Sequence, residues 1–170
     1  NINFRKQNIF YVNNVTLSYD NNIWIFDEED FKLKKIDEEG KVLLSTIDWR
    51  NLFDTVPAVA RIIDRNNFVY LYDPEKGFYI FDYYGSFKNR IAFLKCSNVE
   101  VSGKILYGFY DNKLYSYELN SLQLKEYKLP VFFGEMERKL TGLWNMGKRV
   151  NGIRNWWKFL TDSFMIYLIS

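Results

Sequence analysis

Two short phrases return along this chain at a fixed distance. Asn21-Asn22-Ile23-Trp24 recurs 45 residues later as Asn66-Asn67-Phe68-Val69, and Ile36-Asp37-Glu38-Glu39-Gly40 recurs at the same interval as Phe81-Asp82-Tyr83-Tyr84-Gly85. A weaker copy follows after 36 residues, where Phe78-Tyr79-Ile80-Phe81-Asp82 is matched by Leu114-Tyr115-Ser116-Tyr117-Glu118. Self-similarity at roughly 35 to 50 residues marks supersecondary units that bury their apolar surface against one another. The spacing constrains architecture far more than chemistry.

The second unit shows what is repeated. Residues 59–63, 68–72, 78–81 and 86–93 are rich in β-branched and aromatic side chains, as strands are. Between them lie Asp64-Arg65-Asn66-Asn67, Asp73-Pro74-Glu75-Lys76-Gly77 and Asp82-Tyr83-Tyr84-Gly85, whose Asn, Asp, Pro and Gly are turn formers. Four antiparallel strands joined by short turns are one blade of a β-propeller. The first unit repeats the order, and its third strand, residues 31–36, alternates apolar and basic residues as a half-exposed strand should. The expected fold is therefore all-β, with about three four-stranded propeller-like blades at residues 10–45, 58–94 and 98–130. Three units fall short of the four to eight blades of a closed ring, so the chain reads as part of something longer, with open blade faces that invite self-association. The inter-blade core should include Trp24, Ile25, Phe68, Leu71, Phe78 and Ile80. Residues 47–57, between the first two units, fit either one helical turn capped by Asp48 or a plain crossover loop.

After Pro130 the repeat stops. Residues 131–170 carry six basic and three acidic side chains and three of the five tryptophans. Ile153, Trp157, Leu160, Phe164 and Leu168 fall on one face of a helix. This basic tail, helical or irregular, is expected to cap the blades. Membrane contact is not expected, and the tail is the one segment whose pattern is that of an interfacial helix.

Composition removes several function classes. The 170 residues contain no histidine, which takes away the commonest general base, the usual Ser-His and Cys-His pairs and most transition-metal sites. The lone Cys96 has no second cysteine for a metal or redox motif and reads as a buried, inert thiol. With 23 basic and 21 acidic residues the net charge is +2, no footprint for nucleic acid. Glycines are scattered as turn residues rather than gathered into a phosphate-binding loop. Asp27, Glu28, Glu29 and Asp30 are the densest carboxylate cluster, but they lack calcium-loop spacing and read as solvated turn residues. Asn14-Val15-Thr16 fits a glycosylation acceptor. No cofactor or metal is expected.

The combination of an Asn-Asn-aromatic strand, an Asp-Pro-x-x-Gly turn and an Asp-x-x-Gly turn resembles β-propeller repeat proteins, over about residues 1–130. Within these it is similar to divergent secreted or periplasmic bacterial propellers of unknown function. The resemblance implies a scaffolding or binding habit and a secreted or periplasmic location, and it carries over no functional residue. The expected function is thus a non-catalytic binding or scaffolding module for a protein or glycan partner, with Trp49, Tyr83, Tyr84 and Tyr110 as contact residues. Two alternatives stand beside it. One is a carboxylate-based glycoside hydrolase or lyase, because two acids suffice for glycoside hydrolysis. The other is a purely structural part of a larger cell-surface assembly.

Overall fold

A computed structural model describes residues 4–128, apart from 94 and 112. The expectations for the 131–170 tail, including its cap, lie outside the described residues. The fold is all-β: among the described residues, twelve strands form three four-stranded antiparallel sheets, each a simple meander. The first holds β1 (Val12–Leu17), β2 (Ile23–Asp27), β3 (Lys32–Ile36) and β4 (Val42–Ser45). The second holds β5 (Arg61–Arg65), β6 (Phe68–Asp73), β7 (Gly77–Asp82) and β8 (Phe87–Ile91). The third holds β9 (Asn98–Ser102), β10 (Ile105–Tyr110), β11 (Lys113–Glu118) and β12 (Gln123–Lys128). The leading strands line up, β1 beside β5 and β5 beside β9. Asn14 donates its side-chain amide to Val59 O at 2.6 Å across the first pair, so the amide of the glycosylation pattern is already engaged. Arg61 pairs with Glu100 at 3.0 Å across the second.

The core lies between the sheets. Strand side chains alternate in direction, so each middle strand feeds two layers. Trp24 and Phe26 of β2 meet Val69 and Leu71 of β6 in the layer between the first and second sheets. Tyr70 and Tyr72 of β6 point the other way and meet Val99, Val101 and Leu106 of the third. Of the expected core, Trp24, Leu71, Phe78 and Ile80 lie in these layers. Ile25 is buried instead with Ile9 and Ile36 on the outer side of the first sheet. Phe68 opens its strand and is 36% exposed, because a strand end reaches past the facing sheet.

Two further expectations are corrected. Trp49 sits on a short 3-10 turn, Trp49–Asn51, with Asp48 as its N-cap. Its side chain is fully buried among Phe26, Phe53 and Phe81, so it is a core residue and presents nothing to a partner. Its indole N–H donates to Thr46 Oγ1 at 3.1 Å, which removes the reason for an exposed edge. Strand β3 is not half-exposed: Lys34 and Lys35 are both buried. Buried ammonium groups require paired charge. Lys34 Nζ lies 2.8 Å from Asp27 and 2.6 Å from Asp30, and Lys35 Nζ lies 2.5 Å from Asp20. Asp27 is consequently no solvated turn residue. Its carboxylate is fully enclosed and accepts from the backbone N–H groups of Phe10 and Tyr11, both at 2.9 Å, as well as from Lys34.

Candidate functional site

Among the described residues, polar and aromatic groups gather most densely at two places, at opposite ends of the sheets. The first surrounds the β7–β8 turn. Asp82 accepts from Tyr84 N and Ser86 N, both at 2.9 Å, and Gly85 takes the positive φ of +79° that closes the turn. Burial works against ionisation of Asp82, but Lys88 at 2.7 Å and the two backbone donors hold its carboxyl below the usual carboxylate range. The turn thereby fixes two tyrosines in different roles. Tyr84 is 86% exposed. Tyr83 turns inward, and its hydroxyl donates to Asp64 of β5. Burial, followed by that contact with Asp64, pushes the Tyr83 phenol up.

Asp64 collects three donors from two sheets: Tyr83 Oη, Ser18 Oγ at 2.8 Å and Trp24 Nε1 at 3.1 Å. The Lys35 ammonium lies 4.8 Å from the Tyr83 ring centre and 5.2 Å from that of Trp24. Tyr19, 71% exposed, leans on the Tyr83 ring at 5.1 Å. Every polar group at this centre is answered from within the chain. Its chemistry is that of a rivet between sheets, with Tyr84 and Tyr19 as its outer surface.

The second place is a pocket of about 370 Å³ at the other end of β7. Its floor is the crossover segment, Leu52 to Thr55. Lys76, on the β6–β7 turn, closes one side, and Tyr79 of β7 with Arg90 of β8 forms the wall. Tyr79 and Arg90 are direct cross-strand partners. Burial pushes the Tyr79 phenol up, and a hydrogen bond with Arg90 works against that. Phe53 stands edge-on to Tyr79 at 4.9 Å and to Phe87 at 5.0 Å. The pocket offers one carboxylate, Asp54, beside two cations and two aromatic rings.

Of the four expected contact residues, Tyr83 and Tyr84 share one turn, Tyr110 ends β10 at the opposite end of the sheets and is 44% exposed, and Trp49 is internal. They do not converge on one surface. The pocket was not foreseen, because its members are scattered from 52 to 90. The single local signal was the pairing of an acidic and an apolar residue in Phe53-Asp54, three residues before Pro57 on the crossover.

Solved structures share this fold. It is similar to a streptogramin B lyase structure, with a TM-score of 0.51 and 13% identity over 70% of this chain and 41% of that one. It is also similar to a catalytically inactive virginiamycin B lyase from Staphylococcus aureus with quinupristin, with a TM-score of 0.52 and 14% identity over 71% of this chain and 42% of that one. These likenesses, with the three four-stranded sheets, define a propeller-like fold. The chain spans about two-fifths of the length of those structures. No protein-family model matches the chain, and neither does any curated protein.

Proposed function

We propose that this protein is a non-catalytic β-propeller-type binding or scaffolding module that presents the turns between its strands to a protein or glycan partner. The observation that carries the reading is Tyr84: a large amphipathic side chain, 86% exposed, on a turn pinned by Asp82 and backed by the Tyr83–Asp64 contact. A rigid, exposed tyrosine supplies contact area at little cost in ordering, which is what binding surfaces use. Against catalysis stand the absence of histidine from the 170 residues and the single carboxylate in the pocket. A hydrolase of the two-acid type needs a pair across one cleft. The lyase with quinupristin is inactive with a histidine replaced, and this chain offers no histidine for an equivalent role. A secreted or periplasmic setting belongs to the proposal and rests on the resemblance of the turn sequences alone.

The test is a glycan array probed with the wild-type chain and with Tyr84→Ala in parallel. The reading predicts that the array or a purified protein partner is bound and that the alanine variant loses most of the signal while unfolding at the same urea concentration. Unaltered binding by the variant would reject the turn as the contact surface. Turnover of any bound glycan would favour the carboxylate-based enzyme instead.

A further inference from the structure

The crossover pocket carries chemistry that the tyrosine turn does not explain. Among the described residues, neither Lys76 nor Arg90 forms an ion pair, although both border the same 370 Å³ space. Lys76 is held in place: its ammonium donates to Val56 O at 2.9 Å and to Thr55 O at 3.3 Å. An ammonium has three donors, so one remains for a ligand. Arg90 is exposed and keeps most of its five N–H donors after its contact with Tyr79. The fork of a guanidinium matches a carboxylate in two-point fashion. Beside these cations, Phe53 offers an aromatic surface, and Asp54 and Thr55 offer acceptors for hydroxyl groups.

An apolar ring face, hydroxyl acceptors and a doubly cationic wall are what a pyranose ring bearing a carboxylate requires. We propose that the crossover pocket binds a uronate sugar, with the carboxylate between Arg90 and Lys76, the ring against Phe53, and hydroxyl groups on Asp54 and Thr55. The volume falls in the range of about 300–1,000 Å³ usual for small-ligand sites. This rests on the reading of the protein as a glycan-binding module, but it concerns the end of the sheets opposite Tyr84, so the two can be tested apart.

The experiment is calorimetric titration of the full chain with a uronate trisaccharide and with the same trisaccharide after carboxyl reduction. The acidic form should bind at least about tenfold more tightly, and its affinity should fall as salt rises. Arg90→Gln should remove most of that preference, and its fold should survive because Arg90 lies exposed on β8. Equal affinity for the two sugars, no heat with either, or an unchanged preference in Arg90→Gln would overturn the assignment. Inorganic phosphate displacing the uronate as well as the free monosaccharide does would also overturn it, reducing the site to a general anion pocket. Glycan binding abolished by Tyr84→Ala, without any uronate preference, would leave the module reading standing and sink this one.

Discussion

The indole of Trp49 lies parallel to the ring of Phe81, with centroids 4.9 Å and planes 6° apart. One residue belongs to the crossover and the other to β7 of the second sheet. On the same indole, Phe26 of the first sheet packs at 4.7 Å. Trp49 therefore fills the space where the chain leaves one sheet for the next. Replacing it with alanine should cost about 3–5 kcal/mol, read as a lowered midpoint in urea with little change in slope. A loss under about 1 kcal/mol would mean that the crossover packs independently of the sheets.

Gly77 leads into β7 at a φ of +96°, and a Cβ placed there would come within 2.1 Å of Ile91 O. Both the conformation and the close approach of β8 demand the missing side chain. Gly77→Ala should destabilise by at least about 1–3 kcal/mol. Gly103→Ala is the control, since a Cβ there meets nothing within 4 Å. It retains only the strain of a φ of +55° and should cost less in the same thermal melt.

Acid should unfold the protein through its enclosed carboxylates. Burial opposes ionisation of Asp27, yet Lys34 and the backbone donors of Tyr11 and Phe10 outweigh it and hold the carboxyl below its ordinary value. Asp82 is displaced the same way. A depressed folded value means that folding favours the ionised form. The stabilisation is therefore complete above the unfolded value of about 3.9 and drains away as pH falls through the folded value. The urea midpoint should be level from about pH 5.5 to 7 and decline below about pH 4. In Asp27→Asn the midpoint should be lower at neutrality and the acid decline shallower.

Cys96 is buried, 4% exposed, and burial pushes its thiol up to about 11. Thiolate is the reactive form. A disulfide reagent at pH 8 should leave the native protein unlabelled for hours and label one thiol at once in denaturant. Rapid native labelling would show that the layer between the second and third sheets opens readily.

The architecture was legible because turn chemistry is local. Asp37 accepts from Glu39 N and Lys41 N, just as Asp82 accepts from Tyr84 N and Ser86 N, and Gly40 and Gly85 have φ of +81° and +79°. The 45-residue interval therefore aligns these two turns. It misaligns β2 against β6, one strand further back. Pairing Trp24 with Val69 equates two residues that face the same layer from opposite sheets. The position that Trp24 occupies in the first sheet belongs in the second to Tyr70, 46 residues on, which faces the following layer. The reason is one residue: the β2–β3 connection, 28–31, is longer by one than the β6–β7 connection, 74–76. A slip of one in a strand reverses every side chain.

Side-chain fate was harder to read than backbone. Nothing adjacent to Trp49 or Lys34 in sequence announces the Phe81 ring or the Asp27 carboxylate that encloses them. The crossover pocket was illegible for the same reason. Tyr79 and Arg90 become neighbours through the β7–β8 register, and Lys76 reaches the carbonyls of Thr55 and Val56 across a different connection.

Asp64 gives its two oxygens to Ser18, Trp24 and Tyr83, residues that lie up to 46 positions away and belong to another strand, turn or sheet. No one of the four can drift alone. An apolar residue at 64 would strand the Trp24 indole N–H and take the shared acceptor from the Ser18 and Tyr83 hydroxyls, which lie 3.4 Å apart, whereas the same change made together with Ser18→Ala and Tyr83→Phe would strand only the indole. In descendants of this chain, positions 18, 64 and 83 should thus be inherited as a set, and a blade exchanged from one lineage into another would arrive with the wrong partners unless its neighbour came with it.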